Sequence, residues 1–472
     1  MKDGKFKFGN WLPDQEALDN PGLVECLNVL RDSGNYVPYQ PLVVSGAVLA
    51  STPLHAMRAI GNGGNTVYVG TATKLYTGSG GGSGSWTDRT PGGIVGSNNW
   101  SMTQYNETVI ATDFVDPPQY HTLGVAGNFA RLTGAFGDAP NAGIVGVIGQ
   151  FVMLGNLSGI APYAVQWCGI NAPLNWPAPN SADAIAQQSG RQYMEANYGT
   201  VYGISQGDQW GLILMSGGLI RVTYTGGTTV FGFDSIEKAP GALGPNAWVK
   251  VGQFVYYAAP TGFFVTDGTS VVPIGRGQVD NYFVENHDAN QPLRVAAGVD
   301  WSRRLVYWTF ARNGHSGVPD EVMSYNIDEK NWTHYRDAVQ LFVRGDEASV
   351  VSTGVEAFDT VNRQCGFFFG SPGTATFTTQ EIELNPGGKA QVNGVTPQIS
   401  GNNNFMTVNV TLGSRDNQGD TVTNSAATAL NTFTGAADFC VDARFHRAQI
   451  DISGPFSTAI GGVFDAQPTS NY

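Results

Sequence analysis

The chain has 472 residues, with 62 glycines, 11% aromatic residues and only 13% charged residues. So few charges exclude a helical protein built on long solvated faces, and so many aromatics exclude a disordered chain. A net charge of −13, from 38 acidic and 25 basic side chains, excludes a surface that grips phosphates or anionic membranes over its whole area.

In chain order, residues 1–50 read as an extended N-terminal arm. Phe8-Gly9-Asn10-Trp11-Leu12-Pro13-Asp14 is aromatic and turn-rich, and Asp19-Asn20-Pro21-Gly22 is a strong turn signal. Residues 23–30 suit a short strand or one helical turn. Tyr36-Val37-Pro38-Tyr39-Gln40-Pro41 is extended, because each proline biases its predecessor away from helix. Trp11, Leu12 and Tyr36 have no periodic partner nearby. The arm is therefore expected to lie along a folded body and to contact a neighbouring ring.

From about residue 51 to 380 a hairpin recurs: an apolar strand, a Gly or Pro turn, and a returning strand ending near an aromatic. The copies lie at 66–76, 107–118, 150–167, 210–224, 253–268 and 304–326, with a weaker one at 365–377. Their spacing, roughly 40–60 residues, is that of propeller blades with loop insertions. One hairpin cannot bury both its faces, and stacking the copies around an axis does. The expected fold is all-β, a β-propeller of six or seven blades. Gly-Ser-Gly-Gly-Gly-Ser-Gly-Ser at 78–85 is a flexible loop, and Ser181-Ala182-Asp183-Ala184-Ile185-Ala186 opens a short helix. Over 381–472 the pattern changes to period-two alternation at 406–412 and 444–452, separated by turns at 385–388 and 401–404. That reads as a C-terminal β-sandwich.

The chemistry-bearing residues form no recognised constellation. His55, His121, His287, His315, His334 and His446 include neither HExxH nor a close pair, so surface or turn positions are expected and no metal. Cys26, Cys168, Cys365 and Cys440 lie far apart with no CxxC, which predicts buried free thiols. No nucleophile elbow, Walker loop or dinucleotide fingerprint occurs. Asp416-Asn417-Gln418-Gly419-Asp420 lacks the distal Glu of a calcium loop and reads as a hairpin turn. Arg303-Arg304, the only arginine pair, begins a strand and suits a turn or interface rather than an anionic-sugar site. Trp167, Trp176, Trp301, Trp308 and Trp332 read as packing between blades, with sugar stacking the alternative. No catalytic residue, metal ligand or cofactor is expected. The start of the chain has no signal-peptide core, and its longest apolar stretch, 142–154, is too short to span a bilayer. A soluble protein made in the cytoplasm is expected.

Three stretches carry a family resemblance. The first is Phe8 to Asp14 with Asn20-Pro21-Gly22, Asn28 and Tyr36-Val37-Pro38. The second is Val165-Gln166-Trp167-Cys168-Gly169-Ile170-Asn171-Ala172-Pro173-Leu174-Asn175-Trp176. The third is Phe231-Gly232-Phe233, 241–245, Gly262-Phe263-Phe264-Val265-Thr266-Asp267-Gly268, Ile274-Gly275, Val279-Asp280 and Phe283. Their order resembles the tail hub or nozzle proteins of short-tailed bacteriophages, which include the packaged-DNA stabilisation proteins. Cys168 stands where that family more often has Ser, a small-for-small change. The resemblance implies a structural virion protein without catalytic residues. It implies a ring, usually a homo-hexamer, continuing the DNA channel below the portal and adaptor ring. It further implies contact with a tail needle, plug or fibres, and passage of DNA without tight binding. An acidic wall suits that passage, because phosphates must slide. The alternative is a carbohydrate-binding or glycosidase-like propeller acting on the host surface.

Overall fold

The computed structural model describes residues 4–18, 20–81, 84–97, 99–345, 354–401 and 405–471. Parts of the glycine loop at 78–85 and of the 401–404 turn, together with Asp19, lie outside the described residues. Strands dominate. Among the described residues the α-helices are α1 (Ala182–Ala186), capped by the Ser181 hydroxyl accepting the Ala184 N–H, and α2 (Asp280–Asn286).

Among the described residues, seven four-stranded antiparallel sets follow one another along the chain. Their first strands are Pro53–Gly61, Ser101–Tyr105, Ala142–Ile148, Val201–Ser205, Trp248–Val251, Ala296–Asp300 and Val339–Phe342. These first strands are neighbours in chain order, and the last returns to the first: Ala56 O accepts Arg344 N–H at 3.0 Å, and Arg344 O accepts Arg58 N–H at 2.7 Å. Between the fourth and fifth sets, Trp248 packs flat on the backbone of Gly203, where a Cβ would lie 2.4 Å from the indole nitrogen. The result is a propeller-like ring of sheets around an axis. Each expected hairpin falls within such a set, with one exception. Cys365–Phe368 belongs to the seventh set, whereas Ala375–Thr379 pairs elsewhere. The seventh set is instead completed by Leu42–Val44, from the other end of the folded region.

The described part of residues 1–50 lies along the folded body, and it does so as strands of its sheets. Lys5–Lys7, Val29–Asp32 and Asn35–Pro38 join a sheet with Gly388–Gly401, Ala437–Ala443 and Phe456–Asn471. Leu23–Leu27 lies between Asn331–Tyr335 of the sixth set and Ala375–Thr379, and so fuses that set to a sheet containing Thr407–Arg415 and Phe445–Ser453. Alternating side chains of both sheets share one hydrophobic cluster with Phe6, Phe8, Trp11 and Tyr36. Trp11 is 0% exposed. These aromatics lacked a partner in the sequence because their partners lie some 300 residues away. They are therefore not available to a neighbouring ring. The second body draws strands from both ends of the chain.

Candidate functional site

Two regions concentrate polar chemistry, the axis of the ring and the junction between the ring and the second body.

At the junction, residues 8–14 meet residues 262–283, whereas residues 165–176 pack with Phe231 in a different hydrophobic cluster. Asp14 caps α2, its carboxylate accepting the N–H groups of Asn281 and Tyr282 at 2.9 Å each. The Asp280 carboxylate accepts the Phe263 N–H at 3.0 Å and fills a niche between Gly262 and Gly275, where any Cβ would strike it. Phe263 packs on Phe283, Trp308 and Trp332 with ring centroids 4.6–4.8 Å apart. Burial raises the Asp280 carboxyl to about 6, against the Phe263 hydrogen bond. Beside this niche, His334 is fully buried and stacks on Trp11 at 4.1 Å. Its Nδ1 lies 2.9 Å from the Glu321 carboxylate, and its Nε2 contacts Glu25 on the N-terminal segment. Glu321 also accepts the Tyr282 hydroxyl at 2.7 Å and pairs with Arg336. Burial pushes Glu25 up, but the charge and hydrogen bond of His334 outweigh it, and its carboxyl is lowered. Every member has a partner, which marks a structural staple.

The histidines were expected at the surface or in turns. Instead His55, His121, His287, His334 and His446 are buried. Each has a protein hydrogen-bond partner, such as the Tyr68 hydroxyl for His121 at 3.0 Å and the Ala390 carbonyl for His446 at 3.0 Å. Long-range pairing of this kind leaves no local sequence signal. Cys26, Cys168 and Cys365 are buried, whereas Cys440 is exposed. Trp167, Trp176, Trp308 and Trp332 are buried and Trp301 is half-buried. Arg304 pairs with Asp328 at 2.8 Å on an exposed turn. Asn417 N–H bonds Asp420 at 3.0 Å in a tight turn, and Asp416 pairs with Lys389 at 2.6 Å. Among the described residues no cluster of three or more His, Cys, Asp or Glu has metal-binding geometry. No helix among them is long and apolar enough to cross a membrane.

The axis holds a cavity of two lobes, about 530 and 650 Å³, which share Ile144, Tyr202, Pro245 and Asn246. The first lobe lies where the innermost strands begin and the second where they end. Ties across the axis narrow it on one side. His55 Nδ1 lies 3.2 Å from Asn246 Oδ1, while the Asn246 amide donates to Leu54 O at 3.1 Å. Asn246 Oδ1 is thus an acceptor, so Nδ1 carries the ring proton. Burial, with the charge of Arg344 adding to it, lowers His55 to about 3. Arg344 donates to the carbonyls of Trp248 at 3.0 Å and Pro245 at 3.2 Å, and lies 4.9 Å over the Trp248 ring. Burial lowers it to about 10, so it stays charged near neutrality. A B-form duplex, whose major groove alone is ~12 Å wide, does not fit past these ties.

The first lobe is shaped by irregular strands. Leu54, Tyr202 and Gln340 are each the extra residue of a register shift in their innermost strand, and a further shift brackets Asn156. A bulge breaks the two-residue alternation and re-aims a side chain, and here all four line the lobe. The side chains of Asn156, Tyr202, Gln291, Arg294 and Gln340 have no hydrogen bond or ion pair with any described residue. The lining includes Arg294 and no carboxylate. At its edge Phe114 is 38% exposed with φ of +79°. Asp113 holds that strained turn by accepting the N–H groups of Val115 and Asp116 at 3.1 and 2.8 Å. The sequence reading found none of these residues, and the only available signal was the positive-φ tolerance of Asn156.

No protein-family model matches the chain, and no curated protein matches it. Similar solved structures include the Swd1 β-propeller domain of Myceliophteria thermophila, at 8% identity and TM-score 0.45, covering 70% of this chain and 99% of that one. The WD40 domain of Toxoplasma gondii coronin is similar at 10% identity and TM-score 0.39, covering 74% and 87%. YCF48 bound to a D1 peptide is similar at 10% identity and TM-score 0.37, covering 72% and 92%.

Proposed function

We propose that the chain is a structural subunit of a short-tailed phage tail, a hub or nozzle protein that assembles into a ring, and that it has no catalytic activity. On this reading the seven sets are the blades of a seven-bladed propeller, closed by Leu42–Val44. Apart from a two-stranded hairpin at 133–138, the remaining strands form a β-sandwich built from both ends of the chain. One observation carries the reading: residues 8–14 and 262–283, two of the segments that resemble the nozzle family only as scattered motifs, meet in space as one partnered staple, while residues 165–176 pack with Phe231 between blades. Asp14, Asp280, Phe263, Phe283 and Trp11 there weld ring to sandwich. A rigid two-part subunit suits a load-bearing ring under the pressure of packaged DNA. The cross-axis ties imply that DNA passes between copies, through the lumen of the assembled ring, and not through the propeller.

Six copies of a chain of net charge −13 carry −78 formal charges, so closure in free solution must overcome self-repulsion. A monomer or weak oligomer at low salt, and a ring at higher salt or on an adaptor template, is expected. Negative-stain imaging with mass measurement across a salt series tests this. A persistent monomer both in high salt and with an adaptor ring present would overturn it.

A further inference from the structure

We propose that the first lobe of the axial cavity binds an acidic oligosaccharide, with its rings against the Phe114 edge and its carboxylate on Arg294. The proposal goes beyond the assembly role and does not depend on it.

Buried polar groups in folded proteins find a partner in protein or ordered water, and groups that open into a cavity are left to water or a ligand. Here Asn156, Tyr202, Gln291, Arg294 and Gln340 converge on one cavity without a protein partner among the described residues, although Gln340 is only 7% exposed. Around His334, by contrast, both ring nitrogens meet a carboxylate. Three carboxamides, a phenol and a guanidinium combine donors with acceptors, which is what vicinal hydroxyls require. The absence of any Asp or Glu from the lining, in a chain with 38 acidic residues, makes the lobe locally positive. A guanidinium with no protein carboxylate is suited to a bidentate pair with a ligand carboxylate. Phe114 is held partly exposed by a strained turn, as an aromatic face at the edge of a polar cleft. The lobe volume of about 530 Å³ falls within the range of small-ligand clefts.

An extended peptide is the competing occupant, and it would dock by adding a strand to a free inner edge. The bulges at Leu54, Tyr202 and Gln340 interrupt three of those edges where the lobe lies. Side-chain recognition of a saccharide survives such interruptions, whereas strand addition does not.

The test is calorimetric titration of the full chain with four probes: trigalacturonate, 3′-sialyllactose, neutral maltotriose and triglutamate. At least one acidic saccharide is expected to bind at least tenfold more tightly than maltotriose and triglutamate, roughly 1.4 kcal/mol. Arg294→Ala should weaken that binding by about tenfold or more, and Gln340→Leu by about fivefold. Both variants should melt with the wild type, because neither polar group has a protein partner, so loss of binding cannot be laid to unfolding. Saturable binding of neither acidic saccharide at 10 mM (roughly the weak limit of useful recognition) would overturn the proposal. So would equal or tighter binding of triglutamate, or binding unchanged in both variants.

Discussion

Around His334 and in the first lobe of the axial cavity, the chain handles the same material, polar side chains held away from bulk water, in opposite ways. At the junction, His334 has a carboxylate on each ring nitrogen, and Glu321 takes a phenol, an imidazole and a guanidinium. In the cavity, Tyr202, Gln291 and Gln340 meet no protein group. Partnered polar groups can hold two bodies together only if removing one strands the other. Unpartnered ones contribute nothing to the fold, and their placement by bulges has to be explained by something else. Substitution should therefore act on stability at the junction and leave it alone in the cavity.

The largest effect is expected from deleting residues 4–38. This removes four strands and the cluster of Phe6, Phe8, Trp11 and Tyr36, and leaves Ala375–Thr379 without one neighbour. The truncated chain should fail to give a protease-resistant second body, as read by limited proteolysis. A fully folded truncation would return the segment to the status of a separable arm. Next comes Trp11→Ala, which should lower stability by about 3–5 kcal/mol in denaturant melts, since the indole is 0% exposed between His334 and Tyr282.

The difference between these regions also explains what could be read from the sequence. The repeated hairpins were legible because apolar strand, turn and returning strand lie within about twenty residues of one another, as in Trp210–Met215 with Gly218–Gly226. The seventh set was only half visible, because its fourth strand, Leu42–Val44, is over 300 residues from its third. Trp11 and Tyr36 read as an arm without local partners for the same reason. The cavity was invisible because its residues sit where alternation fails, and period-two reasoning assigns Tyr202 and Gln340 no particular face. Asp14 and residues 262–280 were legible as motifs, but their shared role, capping α2 and seating Asp280, required the third dimension.

A smaller effect with a definite pH signature should come from Asp280→Asn. Burial raises this carboxyl from an ordinary 3.8 to about 6, so the native state favours its protonated form. The stability it supplies is complete below about pH 4, is lost as pH rises through 6, and is flat above that. Asparagine imitates the protonated group and can still accept the Phe263 N–H. The variant should match the wild type near pH 4 and exceed it by about 1–3 kcal/mol at pH 7. Comparing urea midpoints of the two proteins across that window cancels every other carboxylate they share. A constant difference would mean that the niche does not hold a raised carboxyl.

The smallest effect is expected where the cavity claim is sharpest. Tyr202→Phe removes one hydroxyl and no carbon from a side chain that a bulge aims into the first lobe. If that hydroxyl had a hidden protein partner, its loss would cost about 0.5–1.5 kcal/mol, as for an ordinary intramolecular hydrogen bond. If it faces only the cavity, the variant should lie within about 0.5 kcal/mol of the wild type, as surface changes do. The junction offers the matched control. Tyr282→Phe also removes one hydroxyl, but from a phenol bonded to the buried Glu321 carboxylate at 2.7 Å, and hydrogen bonds to charged groups are worth about 1.5–3 kcal/mol. The same chemical deletion should thus be silent in one region and felt in the other. Equal losses at both positions would show that Tyr202 serves the fold, and the case for an open recognition surface at the axis would fail with it.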